Sequence, residues 1–329
     1  MTPQSCFTSF LRDIEPSPTT KSDASTAHTN LRTYLRNHSE FKYRHVNSYL
    51  SGSYKRDTAI RPRRAKDGVE RPDIDIIVEI NFRFSDNPKG VVSELYNTIS
   101  AEYDVCRPQD RSVGIFTPKA EMDVVPIIKY NGILYIPDRK AETWHVTNPP
   151  KHTQWTTQIN NQADGRFKPL VKMMKWWRRV NPTKNKKPKG FVIECIVAEC
   201  MDYDESHYGK LVVKTFENIV SRYAVSVGRG QLPFIQDPGV SSNSVTEGMT
   251  ISAFEGFYNK AKAHSVVARQ ALAADNPAEQ TRLWRIIFGD RFPVVKSNMN
   301  ESLLGAALSS AKHTFPNEPI RPDKPSGFA

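Results

Sequence analysis

Three aspartates stand out for the chemistry their type and spacing allow. Asp73 and Asp75 alternate with apolar residues in the run Asp73-Ile74-Asp75-Ile76-Ile77-Val78-Glu79-Ile80, and Asp123 lies in a second alternating run, Glu121-Met122-Asp123-Val124-Val125-Pro126. In extended chain a period of two puts Asp73 and Asp75 on one face and Ile74 and Ile76 on the other. By the same rule Asp123 and Glu121 share a face while Met122 and Val124 turn to the core. Carboxylates grouped with open positions between them suit Mg²⁺, which prefers carboxylate, phosphate and water oxygens. Two such ions about 3.5–4 Å apart neutralise a transferred phosphorus, activate an attacking hydroxyl and stabilise a leaving pyrophosphate. The pattern therefore predicts nucleotidyl transfer with two Mg²⁺ ions, or Mn²⁺ in their place. Asp73 and Asp75 are expected to touch both metals, and Asp123 the ion beside an attacking 3′ or 2′ hydroxyl.

An Asp-x-Asp pair alone is an ordinary strand or loop feature, and what lies upstream gives it a direction. Gly52-Ser53 follows the segment Val46 to Leu50, and a glycine lets backbone approach a phosphate closely. A helix start after it would favour anions, and the Ser53 hydroxyl is placed to donate to a β- or γ-phosphate. Downstream, Lys168, Lys172, Lys175 and Arg179 fall at i, i+4, i+7 and i+11, with Leu170, Met173, Met174 and Trp177 on the apolar face. Lys172 and Lys175 are expected on the phosphates of an incoming nucleotide, against the plainer alternative of a solvated helix face. Trp176 and Trp177 read as core rather than as base-stacking residues. Ser221 is read as a phosphate contact and Tyr223 as a base stack, with a half-buried tyrosine as the alternative. The lysines at 184, 186, 187 and 189 read as a solvated loop, and His145, His152 and His207 lack metal-ligand spacing.

These residues need elements to hold them. An amphipathic helix is predicted over Ser22 to Phe41, with Leu31, Tyr34 and Leu35 on its apolar side, and residues 1–20 read as irregular. A strand over Val46 to Leu50, the glycine turn and a short helix over Tyr54 to Ile60 come next. A basic loop, Arg61 to Pro72, delivers the chain to the Asp73 strand. A helix near 88–102 and strands near 112–117, 121–129 and 132–137 complete a mixed sheet. After Thr143 the pattern turns helical, with segments near 152–180, 190–203, 207–228, 246–274 and 276–288. The fold class is α+β, with residues 1–143 as a sheet-bearing catalytic lobe, 144–293 as a helical second lobe and 294–329 as a flexible tail.

Composition excludes other classes. The net charge is +11 over 329 residues, which favours polyanionic ligands. No apolar stretch approaches the roughly 20 residues that span a bilayer, and no secretory signal is read at the start, so a cytoplasmic protein with no membrane partner is expected. Four cysteines, none in a Cys-x-x-Cys pair, argue against a disulfide framework or structural zinc.

The ordered set Gly52-Ser53-Tyr54-x-x-x-Thr58, Asp73-Ile74-Asp75-Ile76 and Met122-Asp123-Val124-Val125-Pro126 resembles the DNA polymerase β-like nucleotidyltransferases. With Lys172 to Arg179, Phe191-x-x-Glu194 and Phe234-x-x-Asp237-Pro238, the chain resembles the cGAS/DncV-like nucleotidyltransferases (CD-NTases) of bacterial CBASS antiphage systems. Its C-terminal stretch is similar to their clade D branch. The resemblance implies a bilobal fold whose lobes clamp nucleotides. It also implies a template-independent enzyme that builds a cyclic di- or trinucleotide messenger from ATP and other nucleoside triphosphates. By position, Gly52 and Ser53 contact donor phosphates, Asp73, Asp75 and Asp123 hold the metals, and Lys172, Lys175, Ser221 and Tyr223 contact nucleotide. The implied partners are an effector that receives the messenger and conjugation machinery or an activator acting on the C-terminal tail. The zinc insertion of animal cGAS has no counterpart in the sequence, which argues against sequence-specific nucleic acid as a partner. Two alternatives stand beside this reading: nucleotide transfer to an RNA end or a protein, and a nonenzymatic polyanion-binding protein.

Overall fold

Alternating acid and apolar residues make strands here because one face can be buried while the other stays polar. The computed structural model describes residues 1–64, 66, 68–183 and 187–295. Within them the chain divides into two compact units. One holds residues 16–157 and 238–241; the other holds 1–15, 158–237 and 242–295.

The first unit is built on seven strands: β1 (His45–Ser51), β2 (Asp73–Ile80), β3 (Cys106–Pro108), β4 (Val113–Phe116), β5 (Glu121–Tyr130), β6 (Ile133–Asp138) and β7 (Thr143–Thr147). The main path runs β1-β2-β5-β4-β3, with β6 and β7 continuing from the far end of β5. Only β2 and β5 run parallel; the other pairs are antiparallel. A parallel pair needs a long crossover, and it is supplied by α4 (Pro88–Ser100) with the β3–β4 hairpin. Helices α2 (Pro18–Asn37) and α4 cover one face of the sheet, where Ile74, Ile76, Val78, Met122 and Val124 pack with Leu31, Leu35, Val92, Leu95 and Ile99. The acids occupy the opposite face.

The strands expected before the glycine turn, at the acids and near 112–117, 121–129 and 132–137 are present, but β3 and β7 have no counterpart among the expectations, and the helical elements need four corrections. The irregular start is not irregular: α1 (Gln4–Ile14) buries Phe7, Phe10, Leu11 and Ile14. The helix expected from Ser22 begins at Pro18 because Ser17 accepts the amide of Thr20 at 3.1 Å and proline suits the first turn. The predicted helix over Tyr54 to Ile60 is instead a single turn, α3 (Gly52–Lys55), after which Asp57 takes a positive φ. The run expected over 152–180 is two helices, α5 (Pro149–Gln162) and α6 (Phe167–Val180), separated by Asp164 and Gly165 at φ 46° and 80°.

The second unit comprises α1, α6, α7 (Gly190–Cys200), α8 (Tyr208–Gly228), α9 (Ile251–Ala273) and α10 (Pro277–Phe288), with the end of α5. Trp177 sits against Phe216 and Phe257, and its indole N–H donates to His264 Nδ1 at 3.0 Å. In the same unit Phe7 and Phe10 of α1 meet Trp284, Phe288 and Phe292. Among the described residues no helix is long and apolar enough to cross a membrane. Lys184, Lys186 and the expected tail beyond residue 295 lie outside the described residues.

Candidate active site

Strand register assembles the acids. Ser51 of β1 lies opposite Asp75 of β2, Asp75 lies beside Asp123 of β5, and Asp123 lies opposite Gly114 of β4. One row across four strands thus carries serine, two carboxylates and a glycine. The neighbouring row pairs Asp73 with Glu121 and Glu121 with Phe116. Asp73, Asp75, Asp123 and Glu121 therefore share one face of adjacent parallel strands, as the alternation predicted.

The glycine turn abuts the same row. Gly52 has φ +64°, and a Cβ built there would collide with the Asp75 carboxylate. Only glycine lets the turn lie so close to the acid. The turn is closed by Arg56 N–H on the Gly52 carbonyl at 3.1 Å and Thr58 N–H on the Ser53 carbonyl at 2.9 Å, and it holds Ser53 half-buried next to β2. Four residues make too short a helix to carry a useful macrodipole, so the expected contribution of a helix N-terminus falls away. What remains is the Ser53 hydroxyl and close backbone.

The electrostatics of this face suit a cation. Asp73 keeps an accessible side, yet surrounding protein and the charges of Asp75, Asp123 and Glu121 push its carboxyl up to about 7. Like charges held together cannot all ionise cheaply without a counter-charge. The Tyr54 hydroxyl is buried with no hydrogen-bond partner among the described residues, and burial and the Asp73 charge raise its pKa. An all-carboxylate donor set fits a hard divalent ion. Among the described residues no three acidic, histidine or cysteine side chains already converge to enclose an ion; the acids share a face without forming a closed cage.

One neighbour of the acids went unread in the sequence. Gln109 donates its side-chain amide to Asp123 Oδ1 at 2.7 Å. The available signal was Gly114 inside the strand Val113-Gly114-Ile115-Phe116, since a glycine there marks close approach of another group.

Lys172, Lys175, Ser221 and Tyr223 belong to the helical unit. Lys172 and Lys175 are not a solvated stripe. Both are buried, with Lys172 Nζ 2.8 Å from Glu15 and Lys175 Nζ 2.8 Å from Glu194. Ser221 is exposed and donates to the Asn218 carbonyl at 3.3 Å. Tyr223 is not half-buried but buried, its hydroxyl 2.8 Å from Glu199 and its ring edge-on to Phe254. A base could stack on it only if the ring left that packing. Trp176 and Trp177 are core residues, as read.

A mixed sheet with its acids on neighbouring parallel strands and a glycine turn against them is the architecture of polymerase β-type nucleotidyltransferases. CdnC of E. coli MS115-1, solved with ATP, shares this fold with a TM-score of 0.71 at 20% identity, over 88% of this chain and 98% of that one. Residues 1–160 match the Second Messenger Oligonucleotide or Dinucleotide Synthetase domain (SMODS). A cyclic AMP-AMP-AMP synthase from Acinetobacter sp. (strain ATCC 27244 / 9458) is 44% identical over 100% of this chain and 98% of its own length. A cyclic AMP-AMP-GMP synthase from Enterobacter hormaechei subsp. hoffmannii (strain UCI 50) is 26% identical over 98% of each chain. The chain belongs to the CD-NTases of CBASS antiphage systems, the enzymes that make cyclic oligonucleotide second messengers. Nucleotidyltransferases of this family are generally metal-dependent.

Proposed function

We propose that the chain condenses three molecules of ATP into a cyclic trinucleotide of AMP, using the acids of β2 and β5. The observation that carries this reading is the single row Ser51, Asp75 and Asp123, with Gly52 against Asp75. It sets carboxylates and a phosphate-sized backbone approach side by side on one rigid sheet. Identity of 44% along the whole chain to a cyclic AMP-AMP-AMP synthase supports AMP as the repeating unit.

In each round a ribose hydroxyl oxygen of one nucleotide bonds to the α-phosphorus of the next. The bond from that phosphorus to pyrophosphate breaks, and the hydroxyl proton leaves to water. Two Mg²⁺ ions held by Asp73, Asp75 and Asp123 would supply charge neutralisation at the phosphorus and at the leaving pyrophosphate. Gly52 admits the donor phosphates to the backbone, and the Ser53 hydroxyl donates to them. Asp123, one strand over from Asp75, takes the acceptor side. Lys172, Lys175, Ser221 and Tyr223 enter this reading as nucleotide contacts in the helical unit, at the cost of the partners they now hold. ATP as substrate supports a cytoplasmic location. The receiver is an effector protein of the same defence system, and any activator or conjugating enzyme acting on the C-terminal residues addresses a stretch outside the described residues.

The test is incubation of the full-length protein with all four ribonucleoside triphosphates and Mg²⁺, with mass spectrometry of the products. A phosphatase-resistant ring of three AMP units is expected. A ring containing another base overturns the product assignment. Label from ATP appearing on added RNA or protein overturns messenger synthesis itself.

A further inference from the structure

The third acid of the site has its own support. The β3–β4 hairpin turns through Gln109, Asp110, Arg111 and Ser112, and Gln109 N–H donates to the Ser112 carbonyl at 2.8 Å to close it. Two ion pairs tie that turn to the end of β6 and the residues after it: Arg111 with Asp138 at 3.1 Å and Lys140 with Asp110 at 3.0 Å. The Arg139 amide also donates to the Asp110 carbonyl at 2.7 Å. The backbone at Gln109 is therefore anchored from two sides, and its side chain reaches across β4 to Asp123 Oδ1 at 2.7 Å. It crosses where Gly114 lies opposite Asp123. A Cβ at Gly114 would come within 2.5 Å of Gln109 Nε2 and 3.5 Å of Asp123 Oδ1.

We propose that Gln109 is the positioning residue of Asp123, and that position 114 is glycine because the Gln109 amide occupies the space a side chain would take. A neutral amide is the suitable donor for this task. It fixes the direction of the carboxylate by a strong hydrogen bond to a charged acceptor, yet leaves its full negative charge for a cation, which a lysine or arginine would cancel. Groups that orient a metal-bound carboxylate in this way typically contribute about 10–100-fold to metal affinity or activity. Asp73 and Asp75, two strands away from the hairpin, need another means of support, so the device is specific to the acceptor side of the site.

This inference rests on the assignment of Asp123 as a metal-holding acid, and the experiment separates the two. Full-length Gln109→Ala, Gly114→Ala, the double variant and Asp123→Asn are compared for Mn²⁺ affinity without nucleotide by electron paramagnetic resonance, for kcat and KM toward ATP, and for melting temperature. Gln109→Ala is expected to weaken Mn²⁺ binding and lower kcat by about 10-fold or more, with KM and melting temperature near the parent's. Gly114→Ala, whose methyl group displaces only the tip of Gln109, is expected to match it, and the double variant to be no worse than either single one. Parent-like Mn²⁺ affinity and kcat in Gln109→Ala, with Asp123→Asn impaired in both, overturns the role of Gln109. A fall in melting temperature alone assigns the bond to stability and also overturns it. Parent-like behaviour of Asp123→Asn overturns the underlying assignment instead.

Discussion

Gly52 leaves little room for change on the acid-bearing face of the sheet. Alanine there would hold a positive φ at about 1–2 kcal/mol and drive its methyl group into the Asp75 carboxylate. Gly52→Ala is expected to lower turnover by on the order of 100-fold, the effect of misplacing a catalytic group by about 1 Å. Stopped assays of ATP consumption beside a melting curve would check this; a parent-like rate would show that the turn tolerates displacement of Asp75. At this scale the sequence was legible wherever a residue's role follows from its own strand. Asp73, Asp75 and Asp123 declare their common face by alternation, and the glycine declares the turn. Gln109 does not, because its task exists only once the β3–β4 hairpin is laid beside β5. The pairing of Lys172 is equally invisible, since its partner Glu15 lies 157 residues away.

Among the elements, α6 is amphipathic as expected, but the plainer alternative for its lysines, a solvated face, fails: Lys172 and Lys175 meet Glu15 and Glu194 inside the helical unit. Periodicity reports which residues share a face; it does not report what packs across that face. Lys175 and Glu194 have side chains 7% and 0% exposed, and that burial makes each dependent on the other. Removing one partner of such a pair typically costs about 3–5 kcal/mol, whereas replacing both with apolar residues is near neutral. Glu194→Gln is therefore expected to lower the melting temperature sharply, and Lys175→Met with Glu194→Leu to restore it. The restored protein also decides the nucleotide role of Lys175: a raised KM for ATP supports it, and an unchanged KM leaves a structural pair.

Helix α9 sets a pH limit on the same unit. Burial and the charge of Lys260 push His264 down to about 4 from its ordinary 6.5, and its Nδ1 accepts the Trp177 indole proton. Between those values the unfolded chain binds a proton that the folded chain refuses. Stability from neutral His264 is thus complete above about pH 6.5 and is lost as pH falls toward 4. Melting temperatures across that window should fall in the parent, and less steeply in His264→Asn.

At the scale of the whole molecule, the first helix and the last described one build a single aromatic core. Phe7 and Phe10 stand 5.0 Å from Trp284 and 4.7 Å from Phe288, ring centre to ring centre, and the Trp284 indole donates to Thr2 Oγ1 at 2.8 Å. Phe7→Ala is expected to destabilise the helical unit by about 3–5 kcal/mol, read by urea unfolding followed through tryptophan fluorescence. An unchanged midpoint would show that α1 is dispensable to that core. Helix α1 is not legible in the sequence because it is short and lacks a side-chain N-cap; its apolar spacing gains meaning only beside α6, α8 and the aromatic residues of α10, all distant in sequence.

That arrangement imposes a waiting time during synthesis. Thr2 and Trp284 are 282 residues apart, so at roughly 5–20 residues per second α1 leaves the ribosome on the order of 15–60 s before the aromatic residues that cover it. The sheet-bearing unit, whose residues emerge in between, can complete its core first. Until α6 and α8 emerge, and in part until α10 follows, the nascent chain carries an amphipathic helix whose Phe7, Phe10, Leu11 and Ile14 lack their full cover, a ready ligand for chaperones and a seed for aggregation when translation stalls.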